Sequence, residues 1–304
     1  MNINNLKGRD IIDINDFSKQ ELLSILETAK SFEGQVDPDL KGDIIALCFF
    51  EPSTRTEQSF KASAQRIGGG VIGFSDLTHT SMHKGESFSD TIKIMGGYAD
   101  VLVIRHPDTG SAKIAADLLE IPVINAGDGT NQHPTQTMLD LYTILKRFGK
   151  LDNLKIAFVG DPKHYRTMHG LLIAMSKFSN NQIYGISPEG LQMPTELKTE
   201  NYHDVVIDMQ DLDNNLAEIN PDIVYVGRIP KEYMSEDSAN YEYQITPKTL
   251  TGLSENTVIM HPLPRIDEID VKVDEDPRAI YFEQAKNGLY VRTALLALVL
   301  GKVN

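Results

Sequence analysis

The chain is poor in several features that would each point to a function. It has a single cysteine, Cys48, which excludes a disulfide framework and any CxxC metal or redox site. Set in an apolar run, that thiol reads as a small buried hydrophobe. No apolar stretch approaches the ~20 residues of a membrane helix; the longest, Ile44–Phe50 and Ala294–Leu300, are far shorter. Positive charge is scarce, with 29 Lys and Arg against 43 Asp and Glu and a net charge of −14. A general nucleic-acid or anionic-membrane binder carries the opposite sign. Neither partner is expected, and an anionic ligand must be held by a local cluster of cations. There is no Walker A, GxSxG or HExxH sequence, so a P-loop nucleotide site, a serine nucleophile and a zinc protease site lose support. His79 and His83 have a spacing a metal can use, but the segment is loop-like and no cysteine joins them. No metal and no cofactor are expected. The first ten residues are polar and lack the apolar core of a signal peptide, so the expected location is the cytoplasm.

A length of 304 residues suggests about two domains, and a hydrophobic content of 41% with 24% charged residues argues for folded globular chain throughout. Ser18 with Glu21 three residues on forms a capping box, flanked by Phe17 and Leu22 as a hydrophobic staple. Leu22, Ile25, Leu26, Ala29 and Phe32 continue with helical period. Short apolar runs then recur at Ile44–Phe50, Val101–Ile104, Ile121–Ile124, Ile156–Val159, Val205–Ile207, Ile223–Val226 and Val258–Met260. Runs of that kind suit strands buried on both faces. Helical patterns such as Thr135–Phe148, closed by Gly149, lie between most of them. The alternation predicts an α/β protein with parallel sheets.

Ligands of such folds bind beyond the carboxyl ends of the strands, and polar motifs stand there. Glu51-Pro52-Ser53-Thr54-Arg55-Thr56 follows the first run, where a strand gives way to a helix. Free N–H groups and the positive end of the helix dipole make that place an anion site. Ser53 reads equally as a plain N-cap, but Arg55 in the first turn opposes the dipole unless an anion is near. Arg105 follows a buried strand and admits either a structural ion pair or a ligand contact. His133 precedes Pro134 at a helix start, where it can cap or can donate to an oxyanion. Thr80–Glu86 is a polar loop carrying Ser81, Lys84 and Glu86. Glu57 and Lys61 form a helical pair without assigned chemistry.

Taken together these blocks resemble the aspartate/ornithine carbamoyltransferase family. Phe49–Thr56 is similar to its carbamoyl phosphate signature. Arg105-His106-Pro107, His133-Pro134-Thr135-Gln136, Val159-Gly160-Asp161 with Arg166–His169, and His261-Pro262-Leu263-Pro264-Arg265 match its other blocks in order, as does the helix of Ala294–Leu298. Pro262, where ornithine enzymes carry Cys, and Arg228 resemble the aspartate branch. The resemblance implies two domains, each a parallel sheet flanked by helices. Residues 1–134 with 289–304 would bind carbamoyl phosphate and 135–288 aspartate, with the C-terminal helix returning to the first domain. It implies transfer of a carbamoyl group from carbamoyl phosphate to the amine of aspartate, without cofactor, in pyrimidine synthesis. Ser53, Thr54, Arg55 and Thr56 would hold the phosphate. Arg105, His133 and Gln136 would hold the carbamoyl end. Arg166 and Arg228 would clamp the aspartate carboxylates, with backbone of Leu263 and Pro264 completing the pocket, and Glu86 would orient Arg55. The family's catalytic unit is a homotrimer in which Ser81 and Lys84 enter the neighbouring subunit's site, and a regulatory chain is a further partner in the family. Pro230 and Tyr233 stand where Gln and Arg are common. A carbamoyltransferase for another amino acid and a catalytically inert relative remain the alternatives.

Overall fold

The computed structural model of the chain describes residues 6–34, 40–229 and 242–303; Pro230 and Tyr233 lie outside the described residues. The chain divides into two compact units, Met1–Tyr142 with Lys286–Asn304, and Thr143–Ala285.

The first unit opens with α1 (Lys19–Ser31). Its capping box forms as the sequence predicts: the Ser18 N–H donates to Glu21 at 2.8 Å, and the Glu21 N–H donates to the Ser18 hydroxyl at 3.3 Å. Phe17 and Leu22, the staple, are fully buried. There follow β1 (Ile44–Phe49), α2 (Thr54–Arg66), β2 (Gly70–Phe74), α3 (Phe88–Gly96), β3 (Val101–His106), α4 (Ser111–Leu118), β4 (Val123–Asp128) and α5 (Pro134–Phe148). The strands form a parallel sheet in the order β2-β1-β3-β4. Cys48 packs in the core with Ala46, Leu102, Ile104 and Ala112, and burial pushes its thiol up to about 12, so it is the inert hydrophobe expected.

The second unit contains β5 (Lys155–Val159), α6 (Arg166–Ser176), β6 (Gln182–Ser187), β7 (Tyr202–Val206), α7 (Leu212–Ile219), β8 (Ile223–Val226), α8 (Pro247–Thr251) and β9 (Val258–Met260). Its sheet is also parallel, in the order β7-β6-β5-β8-β9. Ala157, Val159, Val224, Val226 and Ile259 form its core with Leu212, Leu216 and Leu250.

The last helix, α9 (Tyr281–Val299), buries Ala294–Leu298 completely or nearly so. It docks on α2 of the first unit through side chains on two successive turns: the Ser63 hydroxyl donates to the Leu289 carbonyl at 3.0 Å, and Arg292 Nη1 donates to the Ser59 hydroxyl at 2.8 Å. This is the return predicted from the family resemblance.

Two strands escape the apolar-run reading. β2 contains Gly70 and Gly73 and is only partly buried. β6 begins at an exposed Gln182 and carries Gly185. The run at Val205–Ile207 is also displaced: β7 starts at Tyr202 and passes through exposed His203 and Asp204. β2 and β7 are edge strands of their sheets, where burial on both faces is incomplete and the pattern weakens; β6 is paired on both sides, and its Gln182, Tyr184 and Gly185 break the apolar run.

Ser18→Ala removes one half of the capping box and should cost about 1 kcal/mol of stability. A lowered thermal midpoint by circular dichroism checks this; an unchanged one would show that the cap is idle.

Candidate active site

In a parallel sheet every strand delivers its following loop to the same edge, and neighbouring loops diverge where the strand order reverses. In the first unit that point lies between β1 and β3. Phe49 pairs with Arg105 across it, so the segment after β1 and the Arg105 side chain emerge together. Ser53 takes the N-cap position of α2, with φ −155° and ψ 87°, yet its side chain makes no capping bond. The plain capping role is therefore not what this hydroxyl performs. Thr54 and Arg55 are exposed in the first turn, while Thr56 is buried. Arg105 makes the structural ion pair that its sequence position allows. Nη2 lies 2.6 Å from Glu51, and Nη1 donates to the Ala126 carbonyl at 3.3 Å. The ion pair holds the guanidinium beside the helix start. The fields of Arg105 and Arg55 both reach Arg292 of α9 and oppose its positive charge. Three arginines thus gather in a chain that is acidic overall, giving the local cation cluster that an anion requires.

The next residue, His106, has a different task. Its ring packs on Phe50 and Phe88, with centroids 4.7 and 5.1 Å away, and its Nδ1 accepts from the Asp108 N–H at 2.9 Å. Burial lowers its pKa, and the neutral ring props the β3 loop.

His133 immediately precedes α5, whose first residue is Pro134. Its imidazole is buried, with Nδ1 3.5 Å from the Thr135 hydroxyl. Gln136 follows in the first turn and donates from Nε2 to Asp140 at 2.9 Å. The loop that brings these residues here is fixed by Asp128, a carboxylate that the sequence reading did not single out. It is 1% exposed and accepts from the Asn125 amide (2.9 Å), the Gly110 N–H (2.8 Å), the Gln132 N–H (3.1 Å) and the Asn131 amide (3.1 Å). A buried charge needs such a set of donors. Asn125 completes it by accepting from the Gly127 N–H at 2.8 Å. The Asn- and Gly-rich composition of 125–131 signals a loop, but nothing in the sequence marks Asp128 as its buried anchor.

The loop with Ser81 and Lys84 forms a short 3₁₀ turn, Ser81–Lys84, ended by Gly85 at φ +96°. Ser81 and Lys84 are both exposed. Glu86 accepts from the Thr91 hydroxyl at 2.8 Å.

In the second unit the reversal lies between β5 and β8, which pair in parallel register from Ile156↔Ile223 to Val159↔Val226. The chain after β5 turns at Gly160, φ +123°, where an added Cβ would sit 2.1 Å from the Gly227 carbonyl oxygen; only glycine permits so close an approach. Asp161, fully buried, accepts from the Lys163 and His164 N–H groups at 3.1 Å each and from His164 Nδ1 at 2.9 Å. That turn leads to Arg166, the first residue of α6. Like Arg55, it is a cation in a helix's first turn, where the dipole favours anions. Arg228 leaves β8 next door. The backbone below it is held by Tyr243, whose hydroxyl donates to the carbonyls of Gly227 and Val159. Arg166 and Arg228 thus emerge from neighbouring strand ends, both half-buried.

The segment after β9 lies on the far side of β8. His261 Nδ1 accepts from the Leu263 N–H at 2.7 Å, which places the ring proton on Nε2, where it donates to Glu268 at 2.8 Å. Glu268 also accepts from the N–H groups of Ile266 and Asp267 at 3.0 and 3.1 Å. These bonds hold Leu263 at φ +58° before a cis peptide to Pro264. Arg265, in contrast, is turned to structure: it pairs with Asp274 and lies over the Tyr281 ring. Among the described residues, no three His, Cys, Asp or Glu side chains gather as a metal site.

Comparison with known proteins agrees with the motifs. The family described as aspartate/ornithine carbamoyltransferase matches in two parts, its carbamoyl-P binding domain over residues 9–146 and its Asp/Orn binding domain over residues 152–299. The aspartate carbamoyltransferase catalytic subunit of Thermococcus onnurineus is 46% identical over 97% of this chain and 98% of that protein. The corresponding subunit of Vibrio cholerae is 45% identical over 98% and 99%. Among solved structures, the catalytic subunit of M. Jannaschii aspartate transcarbamoylase superposes with a TM-score of 0.87 at 42% identity, covering 96% of this chain and 98% of that one. Aspartate transcarbamoylase from Trypanosoma cruzi in complex with carbamoyl phosphate and aspartate superposes with 0.88 at 33% identity, covering 98% of each.

Burial alone would push the Glu268 carboxyl up, but the His261 and backbone N–H donors outweigh it and lower it from 4.5 to about 2. The folded value lies below the unfolded one, so its contribution is present above about pH 4.5 and is lost as pH falls toward 2. Glu268→Gln should lose about 3 kcal/mol at neutral pH and flatten the acid limb of stability in urea titrations. An acid limb identical to wild type would show that the pair does not set it.

Proposed function

The chain belongs to the aspartate/ornithine carbamoyltransferase family, and we propose that it is an aspartate carbamoyltransferase, forming N-carbamoyl-L-aspartate and phosphate from carbamoyl phosphate and L-aspartate. One observation carries the choice of acceptor: Arg166 and Arg228 emerge from adjacent strand ends in the second unit. Aspartate brings two carboxylates and needs two cations. Ornithine brings one carboxylate and a side-chain ammonium, which a second arginine would repel. Pro262, in the turn held by His261, fits the same branch.

The amine nitrogen attacks the carbamoyl carbon, the bond from that carbon to the phosphate oxygen breaks, and the amine proton leaves with the phosphate. The departing phosphate, itself a base, makes a protein base unnecessary. Catalysis then rests on positioning and on charge placed where charge develops. Ser53, Thr54 and Arg55, with the first-turn N–H groups of α2, hold the phosphate. Thr56, Arg105 and His133 polarise the carbamoyl oxygen as it gains negative charge, and Gln136 holds the carbamoyl nitrogen. Arg166 and Arg228 bind the aspartate carboxylates, with the backbone of Leu263 and Pro264 beside them. The first unit takes carbamoyl phosphate and the second takes aspartate.

Ser81 and Lys84 serve the site of a neighbouring copy in a homotrimer. Their exposure on a polar loop of the single chain supports that reading. The product belongs to pyrimidine synthesis and the enzyme to the cytoplasm.

Purified protein given carbamoyl phosphate with either aspartate or ornithine should form carbamoylated product with aspartate alone. Arg55→Ala should lower kcat by about 10²–10³-fold, and a wild-type rate would remove Arg55 from the machinery. Arg55→Ala and Lys84→Ala chains, each inactive alone, should regain activity when dissociated and reassembled together. Failure to do so would place Lys84 in its own chain's site.

A further inference from the structure

Three residues beneath the carbamoyl end remain without a role in this scheme: Asp140 on α5, and Arg292 and Gly288 on α9. Asp140 is fully buried and Arg292 is 3% exposed. Asp140 lies one turn beyond Gln136 on α5 and accepts from its Nε2 at 2.9 Å. A carboxylate only accepts hydrogen bonds, so the Gln136 amide must turn its NH₂ toward Asp140. The amide is planar, and its Oε1 is thereby committed to the opposite branch, as an acceptor.

A buried carboxylate needs a countercharge, and Arg292 supplies it. Burial pushes the guanidinium down to about 9, while the field of Asp140 acts in the opposite direction, so Arg292 is cationic at neutral pH. It is held in place from three sides. Nη1 donates to Ser59, whose hydroxyl donates in turn to the Thr56 carbonyl at 2.9 Å. The guanidinium lies over Phe60, 5.4 Å from the ring centroid. Gly288, one turn earlier on α9, leaves the room: a Cβ there would fall 2.4 Å from Arg292 Nη1. Glycine within a helix is unfavourable, and here the guanidinium fills the space that a side chain would take.

We propose that Asp140, opposed by Arg292, is a positioning residue that fixes the Gln136 amide as a hydrogen-bond acceptor and so makes the site specific for an acyl phosphate bearing an amine. Carbamoyl phosphate has a donating NH₂ where acetyl phosphate, of nearly the same shape, has a methyl group. An acceptor fixed at that point favours the first; an amide free to rotate could offer its own NH₂ and would discriminate less. The inference rests on the carbamoyl phosphate reading above and adds to it the origin of the selectivity.

Binding by calorimetry tests it without turnover. Wild-type protein should bind carbamoyl phosphate about tenfold or more tighter than acetyl phosphate. Asp140→Asn, nearly isosteric, can donate to Gln136 Oε1 and lets the amide turn over. It should weaken carbamoyl phosphate about tenfold while changing acetyl phosphate and inorganic phosphate less than twofold. Equal weakening of all three ligands would mean a merely structural role and would overturn the proposal. So would an unchanged preference in the variant, or none in the wild type. Should Asp140→Asn not fold, Asp140→Ala removes the acceptor and likewise frees the amide to turn, and carries the same expectation. Wild-type turnover with aspartate is scored separately. Its absence would remove the enzymatic reading, and the binding preference alone would still decide the role of Asp140.

Discussion

Parallel strands all end at one edge, and each sheet of this chain obeys that constraint without exception. Everything the site needs follows from it. Where the strand order reverses, loops diverge and leave room, and the helix that follows each strand presents unsatisfied N–H groups there. The first sheet puts Ser53–Thr56 and Arg105 at such a point, and the second puts Arg166 and Arg228 at another. The chemistry is thus laid on ends of rigid elements, with the loops anchored by buried carboxylates. Asp128, Asp161 and Glu268 each collect several donors and fix the loop leading to His133, Arg166 or Leu263.

Electrostatics then acts locally. The molecule as a whole repels anions, so binding must come from charge concentrated at few points. Arg55, Arg105 and Arg292 form one such point, and each is constrained differently. Arg55 stands in the first turn of α2, Arg105 is tied to Glu51, and Arg292 is buried against Phe60. Three like charges placed together oppose folding; burial first, and then the fields of Arg105 and Arg55, lower the pKa of Arg292.

Much of this is legible in the amino-acid order alone. Apolar runs locate β1, β3, β5, β8 and β9, because strands buried on both faces leave no polar alternation to confuse the reading. The capping box announces α1 by chemistry that acts within four residues. The motif blocks name the side chains at the strand ends. What escapes notice depends on contacts distant in sequence or on sheet edges. β2 and β6 are interrupted by glycine. Asp128 looks like any loop aspartate until its four donors are seen converging. Two residues do leave a trace. Asp140 stands one helical turn from Gln136, and Arg292 stands two residues before the apolar run Ala294–Leu298, where a charge requires a reason. The task of His106 is set by aromatic neighbours distant in sequence, Phe50 and Phe88.

The route of the chain also bears on how the protein is made. The first unit includes Lys286–Asn304, and α2 is braced by Ser59 and Ser63 against α9. Those partners lie 233 and 226 residues away along the chain. During synthesis from the N-terminus, the unit that begins first is finished last. The second unit, continuous from Thr143 to Ala285, has its full set of strands before the last helix exists. The emerging first unit must therefore wait with the α2 surface uncovered until α9 has been made. In that interval the molecule is most exposed to proteolysis and to association with other nascent chains.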